Sequence, residues 1–160
     1  MKKIEIYTDG SCNNNGNKNG GWGVVILYRG EIIKLSGRQT NTTSNRMEMM
    51  AMLVALTKVN KSKLSVDEVI IRSDSQYAIK IFNGSWKASS NVDLLDEFNQ
   101  LHVDLNNKGT TIKFEWVKGH AGDTYNEMAD QLANCNIQQE EVNGQRLPRQ
   151  QEVPSGDSRT

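Results

Sequence analysis

The segment IEIYTDGSCNNNGNKNGGWGVVILY, residues 4–28, sets the start of the fold. Ile4, Ile6 and Thr8 alternate with more polar neighbours, which is the periodicity of a β-strand that ends at Asp9. A loop rich in Asn and Gly follows, and a second strand begins with GWGVV. Two interpretations of this loop remain open. It is either a long hairpin connection that needs positive φ angles, or a backbone surface that closely approaches a ligand beside a carboxylate.

The rest of the chain alternates strand and helix patterns. The second strand and EIIKLSGRQ form a hairpin that turns near Gly30. Further patterns predict a helix at 45–60, a strand at 67–74, a short helix at 75–82, a helix at 93–106 capped by Asp93, a strand at 111–117 and a helix from Thr124. The order β-β-β-α-β-α-α-β-α predicts an α/β fold. Three antiparallel strands and then parallel strands form a mixed sheet flanked by helices.

A change of composition marks the end of the predicted domain. The strand and helix patterns stop near Ile137, and residues 138–160 contain only Val142, Leu147 and Val153 as aliphatic residues. Both prolines of the chain lie there as well. We therefore expect one folded domain over residues 1–137 and a disordered polar tail over residues 138–160, for which the sequence names no partner.

Bulk composition excludes several classes of protein. Nineteen basic residues balance nineteen acidic ones, so the net charge indicates neither a nucleic-acid nor a membrane partner. The mean hydropathy is −0.62, and no run approaches the roughly 18 apolar residues of a membrane span. No signal peptide opens the chain, so we expect a cytoplasmic protein. The two cysteines match neither a zinc pattern nor a redox motif.

Four carboxylates stand where predicted elements begin or end. Asp9 and Asp74 end strands, Glu48 lies in the first turn of a helix, and Asp130 lies in the last helix. Each has an ordinary structural alternative. Asn45 and Glu48 have the spacing of a capping box, Asp74 could be an N-cap, and Asp130 could be a solvated helix residue.

The joint placement of these carboxylates favours a site. The carboxyl ends of neighbouring parallel strands open into one crevice, so Asp9 and Asp74 would project there side by side. Carboxylates repel one another by roughly 4 kcal/mol at 4 Å and an effective dielectric near 20. Hard divalent cations relieve that repulsion, and an all-oxygen acidic site suits Mg²⁺, with Mn²⁺ as a substitute.

Five motifs resemble the type 1 ribonuclease H family over about residues 4–137. They are YTDGS…GGWG, TTSNRMEMMA, IRSDSQYAI, NVDL and VKGHAGDTYNEMADQLA, in the family's order and spacing. The resemblance implies a ribonuclease H-like five-stranded mixed sheet with flanking helices. It also implies a monomeric endonuclease that cuts the RNA strand of RNA–DNA hybrids with two Mg²⁺ ions, leaving 5′-phosphate and 3′-hydroxyl ends.

The resemblance also implies roles for individual residues. The metal ligands would be Asp9, Glu48, Asp74 and Asp130, and His120 would assist proton transfer or product release. The contacts with the hybrid would be Cys12, Asn14 or Asn15, Thr43, Asn45, Gln76 and Asn126, with Thr43 and Asn126 binding a phosphate of the DNA strand. Trp86 would either line the channel for the DNA strand or serve as a packing residue.

The sequence departs from the family pattern at three places. Asn41 replaces a common Arg of the phosphate pocket, and Ser44 replaces a common Asn that contacts RNA. The basic helix and loop that many bacterial relatives insert after Trp86 is absent from the sequence. The chain therefore resembles the compact form of the family.

Three alternative functions predict different sequences. An integrase or transposase core of the same fold generally uses three carboxylates and lacks the GHAG motif with the downstream Asn126 and Asp130. A non-catalytic module that binds hybrid would have lost an acidic ligand. An unrelated small-molecule function leaves the five motifs in register without explanation.

Overall fold

The computed structural model describes residues 1–13 and 18–141, with side chains described through residue 135. The strands are β1 (Lys3–Cys12), β2 (Gly20–Tyr28), β3 (Glu31–Gln39), β4 (Glu68–Ser73) and β5 (Thr111–Trp116). The helices are α1 (Ser44–Lys61), α2 (Gln76–Phe82), α3 (Val92–Asn107) and α4 (Thr124–Glu141). This order confirms the predicted succession of elements.

The five strands form one mixed sheet in the order β3-β2-β1-β4-β5. β2 pairs antiparallel with both β1 and β3, whereas β4 pairs parallel with both β1 and β5. The prediction of an antiparallel trio followed by parallel strands is therefore confirmed. β1 lies in the centre of the sheet beside β4, so the carboxyl ends of β1 and β4 meet at one edge.

The β2–β3 hairpin turns where the sequence predicts it. Two residues connect the strands, Arg29 with φ of 53° and Gly30 with φ of 81°. Positive φ at both positions is typical of the type I′ turn, whose twist matches that of the flanking strands.

The two faces of the sheet carry different helices. Ile4, Ile6 and Val24 belong to the main hydrophobic core, to which α1, α2 and α3 contribute. Tyr7 and Val25 point to the opposite face, where they pack against α4. This division follows from the alternation of side chains along a strand.

Two glycines let the helices approach the central strands closely. A Cβ atom on Gly10 would lie 2.3 Å from the backbone nitrogen of Glu48, and one on Gly23 would lie 2.4 Å from the carbonyl oxygen of Ala129. Any larger residue would displace α1 or α4. The glycines that flank the opening loop therefore serve helix packing, which neither interpretation of that loop anticipated.

The helix starts correct four sequence predictions. Thr43 caps α1 by accepting a hydrogen bond of 3.1 Å from the Arg46 backbone N–H, so the Asn45–Glu48 capping box is wrong. No acidic residue lies in the first turn of α1, so Glu48 lies one turn later than predicted. Ser75 caps α2 in place of Asp74. Asn91 precedes α3, and Asp93 lies within its first turn.

The last helix extends past the predicted domain boundary at Ile137. The backbone of α4 continues to Glu141, a few residues beyond Ile137. Residues 142–160 lie outside the described residues, so the disordered tail stays a prediction. None of the helices that the structure describes combines the length and apolar character required to cross a bilayer.

Replacing Gly23 by Ala should destabilise the fold by about 1–3 kcal/mol, the usual cost of overpacking a core. The added methyl group would meet the α4 backbone, which cannot move without uncovering Tyr7 and Val25. Chemical denaturation measures the change. Gly23 does not have a positive φ, so backbone strain does not contribute to this cost. A Gly23→Ala variant as stable as the native chain would contradict the packing argument.

Candidate active site

Three acidic side chains converge at the edge where the parallel pairing of β1 with β4 ends, although β1 itself continues past Asp9 to Cys12. One carboxylate oxygen from each of Asp9, Glu48 and Asp74 lies within 4.8 Å of the others. These residues come from β1, from the second turn of α1 and from the residue after β4. The predicted juxtaposition of Asp9 and Asp74 is therefore present, with Glu48 beside them.

Asp9 is the most buried of the three, with 5% of its surface exposed. Burial raises the pKa of its carboxyl group to about 8, and repulsion from Asp74 and contact with Asp130 add to the effect. A hydrogen bond from the Gly10 backbone N–H lowers the pKa but does not compensate. The charged form of Asp9 is therefore costly unless a cation neutralises it.

The Glu48 side chain can reach the cluster because it does not take part in capping α1. Its Oε1 atom accepts a hydrogen bond of 3.0 Å from the Gly10 backbone N–H. The close approach of α1 to Gly10 makes this bond possible. Burial raises the pKa of Glu48 well above its ordinary value, and repulsion from Asp9 and Asp74 contributes.

Asp74 lies between the sheet edge and the β5–α4 loop. Burial raises the pKa of its half-buried carboxyl group, whereas the nearby His120 lowers it. A Cβ atom on Gly119 would lie 2.5 Å from Asp74 Oδ2, so the loop passes directly over the carboxylate. The indole N–H of Trp116 donates a hydrogen bond of 3.2 Å to the Asp74 carbonyl oxygen.

His120 lies on that loop and is exposed to solvent. Its φ of 54° is in the left-handed region, which is uncommon for a residue other than glycine. The imidazole is close enough to Asp74 for their charges to interact. The structure therefore brings the sequence-predicted histidine to the acidic cluster.

Asp130 stands beside the cluster on α4. Its proximity to Asp9 raises the pKa of Asp9 both by hydrogen bonding and by repulsion. Asn134 Nδ2 donates to Asp130 Oδ1 at 3.0 Å, and Asn134 Oδ1 accepts from Ser11 Oγ at 2.9 Å. Ser11 and Asn134, which orient Asp130, were not predicted from the sequence. The spacing of four residues between Asp130 and Asn134 was the available signal.

Three of the predicted substrate contacts lie at helix starts. Thr43 is the exposed N-cap of α1, Asn45 is exposed in the first turn of α1, and Gln76 is the exposed first residue of α2. Cys12 ends β1, where its thiol lies 3.4 Å from the carbonyl oxygen of Thr42. Burial raises the pKa of Cys12, so the thiol is a hydrogen-bond donor.

The remaining predicted contacts differ in exposure. Asn126 is 2% exposed, and its Oδ1 atom has no hydrogen-bond partner among the described residues. Trp86 is 46% exposed, and Lys80 Nζ lies 5.1 Å from its ring centroid. Trp86 is therefore a surface residue, in contrast to the packing alternative. Asn14 and Asn15 lie outside the described residues.

Comparison with known families identifies the family of the chain. The family model described as RNase H matches residues 1–138, which include all four carboxylates and His120. The chain belongs to the ribonuclease H family. The prediction of a ribonuclease H enzyme from the five motifs is therefore confirmed.

Individual relatives of the ribonuclease H family agree with this assignment. The chain is 38% identical over 146 residues to a ribonuclease H of Chromobacterium violaceum. The aligned region covers 85% of this chain and 95% of the relative. The chain is also 39% identical over 153 residues to ribonuclease HI of Pseudomonas putida KT2440, covering 89% and 97%. The solved structure of LC11-RNase H1 in complex with RNA/DNA hybrid is similar, with a TM-score of 0.68 and 27% identity, covering 82% and 94%.

The raised pKa of Asp9 predicts how the stability of the metal-free protein depends on pH. The folded state holds a proton on Asp9 up to about pH 8, whereas the unfolded chain loses it near 3.8. The folded state binds more protons in that window, so stability should fall as pH rises from about 4 to 8. Asp9→Asn should weaken this dependence. It should also raise the melting temperature at pH 8 by at least about 3 °C, which corresponds to roughly 1 kcal/mol in the free energy of unfolding for a chain of this size.

Thermal denaturation in a chelator at several pH values measures both effects. Asp96→Asn is the control, because it makes the same chemical change at an exposed position on α3. Equal pH dependence in the native chain and in the Asp9→Asn variant would contradict the assigned cause.

Proposed function

We propose that this chain hydrolyses the RNA strand of RNA–DNA hybrids with two bound Mg²⁺ ions and leaves 5′-phosphate and 3′-hydroxyl ends. The observation that carries the proposal is the convergence of Asp9, Glu48 and Asp74 within 4.8 Å, with Asp130 beside them. The structural similarity to LC11-RNase H1, whose structure contains an RNA/DNA hybrid, supports the choice of substrate.

The donor set fits a hard divalent cation. It consists of carboxylate oxygens, which Mg²⁺ prefers and Mn²⁺ also accepts. Burial and mutual repulsion raise the pKa values of Asp9 and Glu48, as expected for acids arranged to share a positive charge. Asp9, Glu48, Asp74 and Asp130 would hold the two ions. When bound, the pair would activate a water molecule and stabilise the attacking and leaving oxygens of the phosphodiester.

The protein groups around the cluster would position the reacting strand. Hydrolysis breaks the bond between phosphorus and the 3′ oxygen, so a proton must reach that oxygen as it leaves. His120 is exposed on the loop beside Asp74, and an imidazole can exchange a proton near neutral pH. It would donate a proton or help the product phosphate to leave.

Recognition of the hybrid would use the helix starts and the end of β1. Asn45, Gln76 and Cys12 offer short polar groups to the minor groove, where 2′-hydroxyls distinguish RNA from DNA. Thr43 would bind a phosphate of the DNA strand with its hydroxyl hydrogen, since the oxygen already caps α1. Asn126 would support this phosphate, and Trp86 would border the DNA strand. Asn14 and Asn15 stay candidates for the RNA contact.

A cleavage assay with four substrates tests the proposal directly. RNA–DNA hybrid, duplex DNA, duplex RNA and single-stranded RNA are incubated with the full chain, with Mg²⁺ and with a chelator. We expect cleavage of the RNA strand in the hybrid alone, and only with Mg²⁺. Cleavage of duplex DNA would instead favour an integrase-like or transposase-like activity. Hybrid binding without cleavage would favour a non-catalytic module.

Replacing Asp9 by Asn should lower the rate of hybrid cleavage by several orders of magnitude. The substitution keeps the volume of the side chain but removes a charge from the most buried of the carboxylates that would hold the ions. The measurement is single-turnover cleavage, with circular dichroism to check the fold. Asp96→Asn should cleave as fast as the native chain. Substantial Mg²⁺-dependent cleavage by the Asp9→Asn variant would show that the site lies elsewhere.

Replacing His120 by Ala should lower turnover by roughly 10- to 100-fold, near the lower end of the range for a single acid–base group. Affinity for hybrid should change little, because the role concerns a proton or the departing product. Steady-state kinetics and a binding titration separate the two. His102→Ala is the matched control, because His102 is an exposed histidine on α3 that packs against Phe98. A loss of affinity equal to the loss of turnover would make His120 a substrate contact instead.

A further inference from the structure

The NVDL motif, residues 91–94, has no role in the chemistry described above, yet it makes specific polar contacts. Arg46 NH1 and NH2 donate to the two carboxylate oxygens of Asp93 at 3.0 and 2.8 Å. Arg46 NH1 also donates to Asn91 Oδ1 at 3.1 Å. Asn91 Nδ2 donates to the hydroxyl of Tyr77 at 3.0 Å. These four residues, which we term the Arg46 network, connect α1, α2 and the start of α3.

The conformation of Asn91 shows that local helix formation does not explain the motif. Asn91 precedes α3 with φ of 58° and ψ of 31°, in the left-handed region. An Asn at a helix start usually caps the helix with its side chain, but Asn91 makes no such bond. Its side chain contacts Arg46 and Tyr77 instead. An unusual backbone conformation that is maintained for distant contacts is a reason to look for a function.

The position of the network relates it to the proposed recognition of hybrid. Arg46 follows Asn45 and lies two residues before Glu48 on α1. Tyr77 follows Gln76 at the start of α2 and packs against the main hydrophobic core. Two of the proposed RNA contacts, Asn45 and Gln76, therefore flank the two ends of the network. The network is a direct polar link between the helix starts that carry them.

The guanidinium of Arg46 is already occupied by protein acceptors. Both terminal nitrogens bind Asp93, and one of them also binds Asn91. The paired fork of Arg and carboxylate fixes orientation as well as distance, which a single lysine ammonium cannot do. This arrangement indicates that Arg46 orients other parts of the protein. It leaves the guanidinium less available to contact a phosphate.

We propose that Arg46 is a positioning residue for hybrid binding. Through Asp93 and Asn91 it fixes the start of α2 relative to the start of α1, and so holds Gln76 and Asn45 at the spacing of the RNA strand. This inference rests on the proposed function of the chain as a hybrid nuclease. It adds a determinant of affinity that lies outside the acidic cluster and outside the contact surface.

The test compares steady-state kinetics of the full chain and of variants on a short RNA–DNA hybrid. Arg46→Lys keeps the charge but loses the paired hydrogen bonds, and Asp93→Asn removes the acceptor charge. Each should raise KM about 5- to 20-fold, leave kcat within about twofold and leave the Mg²⁺ requirement unchanged. Tyr77→Phe removes only the hydroxyl and should raise KM about 2- to 4-fold.

Control variants separate this role from general effects of charge and structure. Asp96→Asn makes the same charge change as Asp93→Asn at an exposed site on the same helix, and should leave KM unchanged. Asp93→Glu retains the carboxylate and should recover most of the affinity. Melting temperatures show whether each variant is folded at the assay temperature.

Three outcomes would overturn the proposal. If Arg46→Lys raises KM while Asp93→Asn leaves it unchanged or lowers it, Arg46 contacts the hybrid directly. If the melting temperature falls but KM does not change, the network serves stability alone. If kcat falls and the Mg²⁺ requirement rises, Arg46 acts through Glu48. A native chain that does not cleave hybrid would overturn the proposed function itself, and this inference with it.

Discussion

The burial of Asp9 among other acids is the constraint on which the site depends. Charges about 4 Å apart at an effective dielectric near 20 repel by roughly 4 kcal/mol, whereas a whole domain is stable by only about 5–15 kcal/mol. Ionisation of all the carboxyl groups in this cluster would therefore substantially destabilise the folded state. Other features of the fold hold the acids in place: Gly10 admits α1, Gly119 lies over Asp74, and Asn134 orients Asp130. A divalent cation would convert the repulsion into binding energy.

The arrangement of strands and helices follows from local patterns. Alternation in β1 and the Arg29–Gly30 turn each depend on a few neighbouring residues, and each is present as predicted. The convergence of Asp9 and Asp74 also follows, because parallel neighbours end at the same edge of a sheet. These features are predictable because they need no knowledge of distant contacts.

The details of the site depend on tertiary contacts that sequence patterns do not contain. In TTSN and SDS, several neighbouring side chains could cap a helix, and the choice of Thr43 and Ser75 leaves Glu48 and Asp74 available to the cluster. The link from Ser11 to Asn134 spans 123 residues, and the bond from Arg46 to Asp93 spans 47. The NVDL motif is recognisable in the sequence, but its contacts with Arg46 and Tyr77 are not.

The placement of the last carboxylate has a consequence for protein synthesis. Asp9, Glu48 and Asp74 are all translated before α4, which carries Asp130 and packs against Tyr7 and Val25 on the second face of the sheet. Because translation proceeds from the N-terminus and a domain generally folds as a unit, a ribosome-bound chain that lacks α4 contains three of the four acids without the fourth. Nuclease competence would therefore arise only after α4 has been synthesised.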